Sequence, residues 1–204
     1  MKKLADVFEN ATFYKLFQFL VIPQKSRKYI ENNVISVSGV ESVLDFGCGV
    51  GYHAEYFEFA EYLGIEPLES CVAKANQLFA KKGTTFKVGD HNTLKNINDE
   101  SFDLIIAIGV LHHIEDEIVD LFIGEAKRLL KPGGRLTTFD PVIHSDQTFP
   151  SKWVVSQDRG RYVRRPEEYS EFFKTHFDEN ISSKVHSGLL RIPYDHIHFH
   201  AIKG

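Results

Sequence analysis

Cysteine is scarce in this chain, two in 204 residues, and methionine and tryptophan occur once each. Cys48 and Cys71 are isolated in sequence, which excludes a disulfide framework and points to a reducing compartment, so a cytoplasmic protein is expected. Long apolar runs are missing as well: no stretch reaches the roughly 20 residues that a membrane-spanning helix requires. The basic start Met1-Lys2-Lys3 is followed by Asp6, Glu9 and Asn10 where a signal peptide would have its apolar region, so none is expected. There is no basic excess, because 24 Lys and Arg against 28 Asp and Glu leave a net charge of −4, which argues against nonspecific nucleic-acid binding. Internal repeats and low-complexity linkers are also absent. What is present is ordinary for a globular protein, with 43% hydrophobic and 25% charged residues and a length that suits one α/β domain.

The most informative stretch is Val43-Leu44-Asp45-Phe46-Gly47-Cys48-Gly49-Val50-Gly51. Apolar residues lead to an acid and then to three alternating glycines, the pattern of a buried strand entering a tight turn that lets a ligand lie against the backbone. A dinucleotide fingerprint would need its third glycine at position 52, which is Tyr52. Downstream, Tyr62-Leu63-Gly64-Ile65-Glu66-Pro67 ends in an acid about 20 residues on, where a doubly wound fold places its ribose-binding carboxylate. Val88-Gly89-Asp90 closes a third strand-like run, and the apolar stretch 102–108 reads as a central parallel strand covered on both faces. Leu129 to Leu136 reads as a helix end, a turn on Pro132-Gly133-Gly134 and a strand entry. Strands are thus expected near 42–46, 62–66, 84–88, 102–108 and 134–140 with helices between, which implies a parallel sheet with helices on both faces.

This ordered set over residues 43–140 resembles the class I S-adenosyl-L-methionine (SAM) dependent methyltransferases. The full chain is similar to their bacterial, UbiE-like small-molecule branch, of the kind associated with surface-polysaccharide and other specialised biosynthesis. The resemblance implies an α/β, Rossmann-like, doubly wound seven-stranded sheet, mostly parallel, with an antiparallel C-terminal hairpin at about 181–186 and 194–202. It implies one domain over 1–204: an N-terminal helical cap over 1–33, a SAM-binding core over 34–140, an acceptor-side insertion and helix over 141–180, and the C-terminal strands over 181–204. Within the insertion, Pro166 with Glu167 and Glu168 reads as a helix start.

Carried over residue by residue, the resemblance gives SAM as cofactor and S-adenosyl-L-homocysteine as product. Asp45 would meet the cofactor's ammonium, with the turn of Gly47, Cys48, Gly49 and Gly51 beside the ribose and methionine portion. Glu66, followed by Pro67, would accept from the ribose hydroxyls, where the family more often has aspartate. Asp90 and the backbone of His91 would read the adenine, and Ile108 and Gly109 would lie near the methyl group. Asp45 and Glu66 are equally able to cap the helices that follow them. Cys48 is a small filler of the turn, with no activating base beside it.

Methyl transfer requires the acceptor to be held in line and, for a hydroxyl, relieved of its proton. Candidate bases follow the fourth and fifth strands: His112, His113, Asp140 and His144. Asp158 to Arg165 contains four arginines, read either as an anion site using Arg159 and Arg161 or as a solvated arm paired with Glu167, Glu168 and Glu171. Phe13, Tyr14 and Phe17 fall on or beside one face of an N-terminal helix that reads as a lid, with Tyr14 facing substrate, or as a helix packed on the sheet. His196, His198 and His200 alternate along the last strand; with no carboxylate or thiol pattern alongside, a polar strand face explains them and no metal is assigned.

The expected partner is a small-molecule acceptor, methylated on oxygen: a sugar, sugar phosphate or phosphoramidate. A protein or RNA methyltransferase is the alternative within the class, although Gly109-Val110-Leu111-His112 stands where amino-group enzymes carry Asn/Asp-Pro-Pro-Tyr. A non-catalytic SAM-binding module is the alternative outside it.

Overall fold

The computed structural model describes residues 22–158, 160–177 and 180–204. The aromatic N-terminal segment with Tyr14, and Arg159 of the arginine cluster, lie outside the described residues.

Seven strands form one sheet in the order β3-β2-β1-β4-β5-β7-β6. They are β1 (Ser42–Phe46), β2 (Glu61–Glu66), β3 (Thr84–Val88), β4 (Phe102–Ile108), β5 (Leu130–Pro141), β6 (Ile181–His186) and β7 (His196–Ile202). The first five pair in parallel, while β7 runs antiparallel to both β5 and β6. This is the doubly wound arrangement with an antiparallel end that the motif order implies. The chain reverses direction across the sheet between β1 and β4, so the crevice for a ligand opens at the carboxyl ends of those two strands.

Alternation along each strand divides the core. On β4, Ile105 and Ala107 join one apolar cluster and Leu104 and Ile106 the other. Between strands lie α2 (Glu69–Phe79), α3 (His91–Leu94) and α4 (Asp116–Leu129), while α1 (Gln24–Tyr29) precedes β1 and α5 (Phe149–Ser156) and α6 (Pro166–His176) follow β5. On α4, Val119, Phe122, Ile123, Ala126 and Leu129 are buried, the i, i+3, i+4, i+7 stripe of a sheet-covering helix. Its acids, Asp116 and Glu117, sit in the first turn and Lys127 and Arg128 in the last, matching the helix dipole at both ends.

Two boundaries differ from the sequence reading. Pro132-Gly133-Gly134 does not separate a helix from a strand at 134; β5 already starts at Leu130. Phe102 pairs with Leu130 and Leu104 with Arg135, so the extra residues are taken up as a bulge within the strand, with Gly133 at φ +77°. The helical stretch expected to end at 33 runs on, with α1 passing into a π-helical turn over Ile30–Ile35 that ends at Ser36 in the left-handed region.

Candidate active site

The glycine turn leaves β1 with the amides of Gly47 and Cys48 both donating to the Ile65 carbonyl, at 2.8 and 3.1 Å. A Cβ on Gly47 would stand 2.6 Å from Val110, and one on Gly51 would stand 2.6 Å from Phe86, so these two glycines are demanded by packing. Gly49, at φ +53°, is different: a Cβ there would meet nothing within 4 Å. Its face borders open space, the side from which a ligand can approach backbone. Burial, followed by the charges of Asp45 and Glu66, pushes the Cys48 thiol pKa up, which fits a packing role.

Asp45 is fully buried at the end of β1. Its Oδ2 accepts hydrogen bonds from the Tyr62 hydroxyl and from His53 Nδ1 at 3.1 Å. Burial and the neighbouring Asp45 charge hold the Tyr62 hydroxyl well above its ordinary pKa, so it stays a donor. Asp45 Oδ1 has no hydrogen-bond partner among the described residues. A buried carboxylate oxygen left unpaired costs about 1–3 kcal/mol, so the site favours a ligand that brings a donor or a cation. Glu66 is nearly as buried; Oε2 accepts from Gly49 N at 3.0 Å and Oε1 from Leu68 N at 3.1 Å. Burial raises its pKa, against the two backbone bonds that lower it. The Leu68 amide lies at the start of α2, so this carboxylate caps a helix and still has lone pairs for a diol. Pro67 is exposed beside it.

Asp90 is exposed and caps α3, accepting from Asn92 N at 2.9 Å while its own amide donates to Thr93 Oγ1 at 3.1 Å. The Asn92 bond, chiefly, lowers its pKa. His91 is the first residue of that helix.

A cavity of about 350 Å³ opens at the carboxyl ends of β4 and β5. Ile108 and Gly109 line it, together with Arg27, Ile30, Tyr52, His53, Tyr56, His112, His113, Phe139, Asp158, Tyr194 and His196. His112 sits in a short 3-10 turn, Leu111–His113. Its Nδ1 is 2.8 Å from Asp140 Oδ1, and that oxygen also accepts from His112 N at 3.3 Å. Asp140 Oδ2 is buried and without a partner among the described residues. On the other edge of the ring, His112 Nε2 lies 3.7 Å from Asp158 Oδ1. Burial, and then the neighbouring His112, lower the pKa of His113.

The arginine cluster separates by position. Arg164 is buried and holds the turn, donating from Nη1 to Leu111 O (2.7 Å), from Nη2 to Ile114 O (2.8 Å) and to Asp116 Oδ1 (2.6 Å). Arg161 is exposed and is not among the residues lining the cavity. Residues 160–162 pack tightly on His112: Tyr162 N donates to His112 O at 3.1 Å, and a Cβ on Gly160 would stand 2.2 Å from His112 Cδ2. His144 does not line the cavity; its Nε2 is 3.1 Å from Asp195 Oδ2.

The structure therefore brings His112 and His113 to one cavity with Ile108 and Gly109, places Asp140 buried behind His112 and off the cavity wall, and sets Asp90, His144 and Arg161 apart from it. His53, Asp158 and Tyr194 join the cavity without having been singled out in sequence. They come from distant segments with no local motif, so only the fold unites them. The imidazoles of β7 go to separate partners: His196 Nδ1 to Tyr194 O (3.1 Å), His198 Nδ1 to His186 Nε2 (2.7 Å) and His200 Nδ1 to Thr137 Oγ1 (2.9 Å).

A sheet of this order, with a glycine turn after its first strand and a carboxylate closing the second, defines a Rossmann-like methyltransferase fold. Residues 44–138 match the family described as "Methyltransferase domain". It is 34% identical over 113 residues to the "Ubiquinone biosynthesis O-methyltransferase" of Bradyrhizobium sp. (strain ORS 278), covering 53% of this chain and 43% of that protein. Over 139 residues it is 27% identical to "Phosphoethanolamine N-methyltransferase 1" of Triticum aestivum, covering 66% of this chain and 27% of that protein. The match thus spans less than half the length of these curated relatives. Among solved structures, a SAM-dependent methyltransferase from Archaeoglobus fulgidus superposes with a TM-score of 0.71 at 16% identity, covering 93% of this chain and 99% of that one. Phosphoethanolamine N-methyltransferase 2 of Haemonchus contortus, in complex with phosphomonomethylethanolamine and S-adenosylhomocysteine, gives 0.71 at 18% identity, covering 97% and 59%. The chain thus has the fold of these methyltransferases, with the family match lying in residues 44–138.

Proposed function

We propose that this protein transfers a methyl group from SAM to an oxygen of a small anionic metabolite, a sugar, sugar phosphate or phosphoramidate, in bacterial polysaccharide or specialised biosynthesis. The observation that carries the reading is the cavity at the carboxyl ends of β4 and β5, lined by Ile108, Gly109, His112 and His113, with Asp140 hydrogen-bonded to His112 from behind. Its size suits a small molecule. Arg27 on the wall supports a negative charge on the acceptor. The relatives named for ubiquinone biosynthesis and for phosphoethanolamine support a small acceptor.

On this reading, SAM supplies an electrophilic methyl group on a good leaving group. Asp45 Oδ1 receives the cofactor's ammonium, Glu66 the ribose hydroxyls and Asp90 the adenine amine, while Gly49 leaves room for close backbone approach. His112, fixed through Asp140, and His113 border the acceptor end. The walls of the cavity hold the acceptor for in-line attack. The setting is the cytoplasm, where SAM is made available without export.

The test is to give methyl-labelled SAM and the purified protein to an extract of source cells lacking the gene, with Asp45→Ala as control. Label in a small-metabolite or glycan fraction that the control does not produce is the expected result. Label in protein or RNA would replace the small-molecule reading. Tight SAM binding without label in any fraction would favour a non-catalytic module.

A further inference from the structure

Four histidines line the cavity, and their ring nitrogens are not equivalent. His53 gives Nδ1 to Asp45 and so belongs to the cofactor side. His112 faces a carboxylate on each edge, Asp140 at Nδ1 and Asp158 at Nε2, so a lone pair on Nε2 would point at a carboxylate oxygen. His113 is exposed, with no hydrogen bond to fix its tautomer among the described residues. His196 differs from all three. It is 8% exposed, its ring lies flat on Phe139 with centroids 4.7 Å apart and a 3° interplanar angle, and Tyr194 packs edge-on against it.

The hydrogen bond from this ring settles its protonation. Nδ1 lies 3.1 Å from the Tyr194 carbonyl oxygen. A carbonyl only accepts, so Nδ1 carries the proton and Nε2 of the neutral ring carries a lone pair. Nε2 has no hydrogen-bond partner among the described residues, yet it is not among their fully enclosed orphan atoms. It is therefore reached from the cavity that His196 lines. His196 pairs with Pro141, one residue beyond Asp140, so it stands at the carboxyl end of β5, where the acceptor crevice lies.

We propose that His196 is the group that takes the acceptor's hydroxyl proton, through Nε2. This rests on the methyl-transfer reading above. As the acceptor oxygen bonds the methyl carbon, the carbon–sulfur bond of the sulfonium breaks with its electron pair staying on sulfur. The oxygen's proton passes to Nε2, so the positive charge lost at sulfur ends on the imidazolium and leaves with the proton to solvent. Burial, the largest influence, lowers the pKa of the ring to about 4, so the ring is neutral and its Nε2 lone pair is unprotonated near pH 7. Around it stand Asp140 on β5, His112 in the turn before α4, Asp195 and Tyr194 ahead of β7, and His186 opposite it on β6. His112 keeps a positioning part: it fixes the segment 158–162 through Asp158 and Tyr162.

The first arm of the test needs no acceptor. Long-range ¹⁵N–¹H correlation on the full chain with labelled histidine, assigned by His196→Gln, is expected to show His196 as the Nδ1–H tautomer, still neutral at pH 5.5. An Nε2–H tautomer, or an imidazolium at pH 7, overturns the assignment. The second arm uses the labelled extract. His196→Gln is expected to lower transfer at least about 100-fold, the lower end of general-base effects. SAM affinity should stay within twofold, and the residual rate should rise steeply from pH 7 to 9 while the wild-type rate stays flat. A variant within threefold of wild type, or one slowed equally at every pH, contradicts the proposal. Failure of the underlying reading is distinguishable, since it would show as wild-type protein that does not bind SAM.

Discussion

At the scale of single residues, the proposed cofactor end rests on one carboxylate with two differently occupied oxygens. Asp45 Oδ2 is spent on Tyr62 and His53, and Oδ1 is held buried for something else. Replacing the charge should therefore hurt binding more than folding, because the amide of Asp45→Asn retains an acceptor for the Tyr62 hydroxyl. Gly160 gives a second residue-scale prediction. A methyl group there would overlap the His112 ring, so Gly160→Ala should displace the ring or the 158–162 segment. The expected cost is about 1–3 kcal/mol in chemical denaturation, together with loss of methyl transfer. Wild-type activity in Gly160→Ala would contradict the tight packing of that segment on His112. Gly49→Ala separates packing from binding. With open space at its Cβ it should lose SAM affinity more than stability, whereas Gly51→Ala should lose stability through Phe86.

At the scale of elements, α4 anchors the turn that carries His112. Phe122 stacks on Phe46 at 4.4 Å in the core beneath it, so Phe122→Ala should cost about 3–5 kcal/mol by thermal or urea unfolding. The β7 strand makes the opposite use of its two faces: Ile197, Phe199 and Ala201 pack in the core, while His196, His198 and His200 face away from it. Burial first, with neighbouring imidazoles adding for His198, lowers His196 and His198 to about 4. A histidine with a depressed folded-state pKa binds its proton more readily when unfolded. Its contribution is therefore fully present above pH 6.5 and lost as pH falls from 6.5 to about 4. For His196 the span corresponds to about 3 kcal/mol. Urea unfolding at pH 7.5 and pH 5 should show about 2 kcal/mol of that loss, reduced in His196→Gln; equal stability at both pH values would contradict neutral burial of the ring.

At the scale of the whole molecule, strand order is what turns scattered residues into a site. Much of this was legible in the chain: apolar runs at 42–46, 84–88 and 102–108 coincide with β1, β3 and β4. Asp45 and Glu66 are legible because each closes its own strand, next to the turn that uses it. Asp158, Tyr194 and His196 are not legible in the same way, because they meet only when β7 returns antiparallel beside β5 and the segment after α5 crosses His112. The arginine-rich segment misleads for a related reason: four similar side chains look like one feature, while Arg164 is buried against carbonyls and Arg161 is exposed. The bulge in β5 is hidden because Pro-Gly-Gly ordinarily ends an element, and only pairing with β4 shows the strand continuing through it.

The central claim is that the buried, half-satisfied Asp45 completes a SAM site in this chain. Titration calorimetry of SAM into the wild-type protein and into Asp45→Asn tests it most directly, with thermal unfolding of both proteins measured alongside. A charge-assisted hydrogen bond contributes about 1.5–3 kcal/mol, so the variant should bind SAM about 10- to 100-fold more weakly while unfolding cooperatively near the wild-type temperature. A wild-type protein that does not bind SAM, or a folded variant that binds it within twofold of wild type, would contradict the assignment.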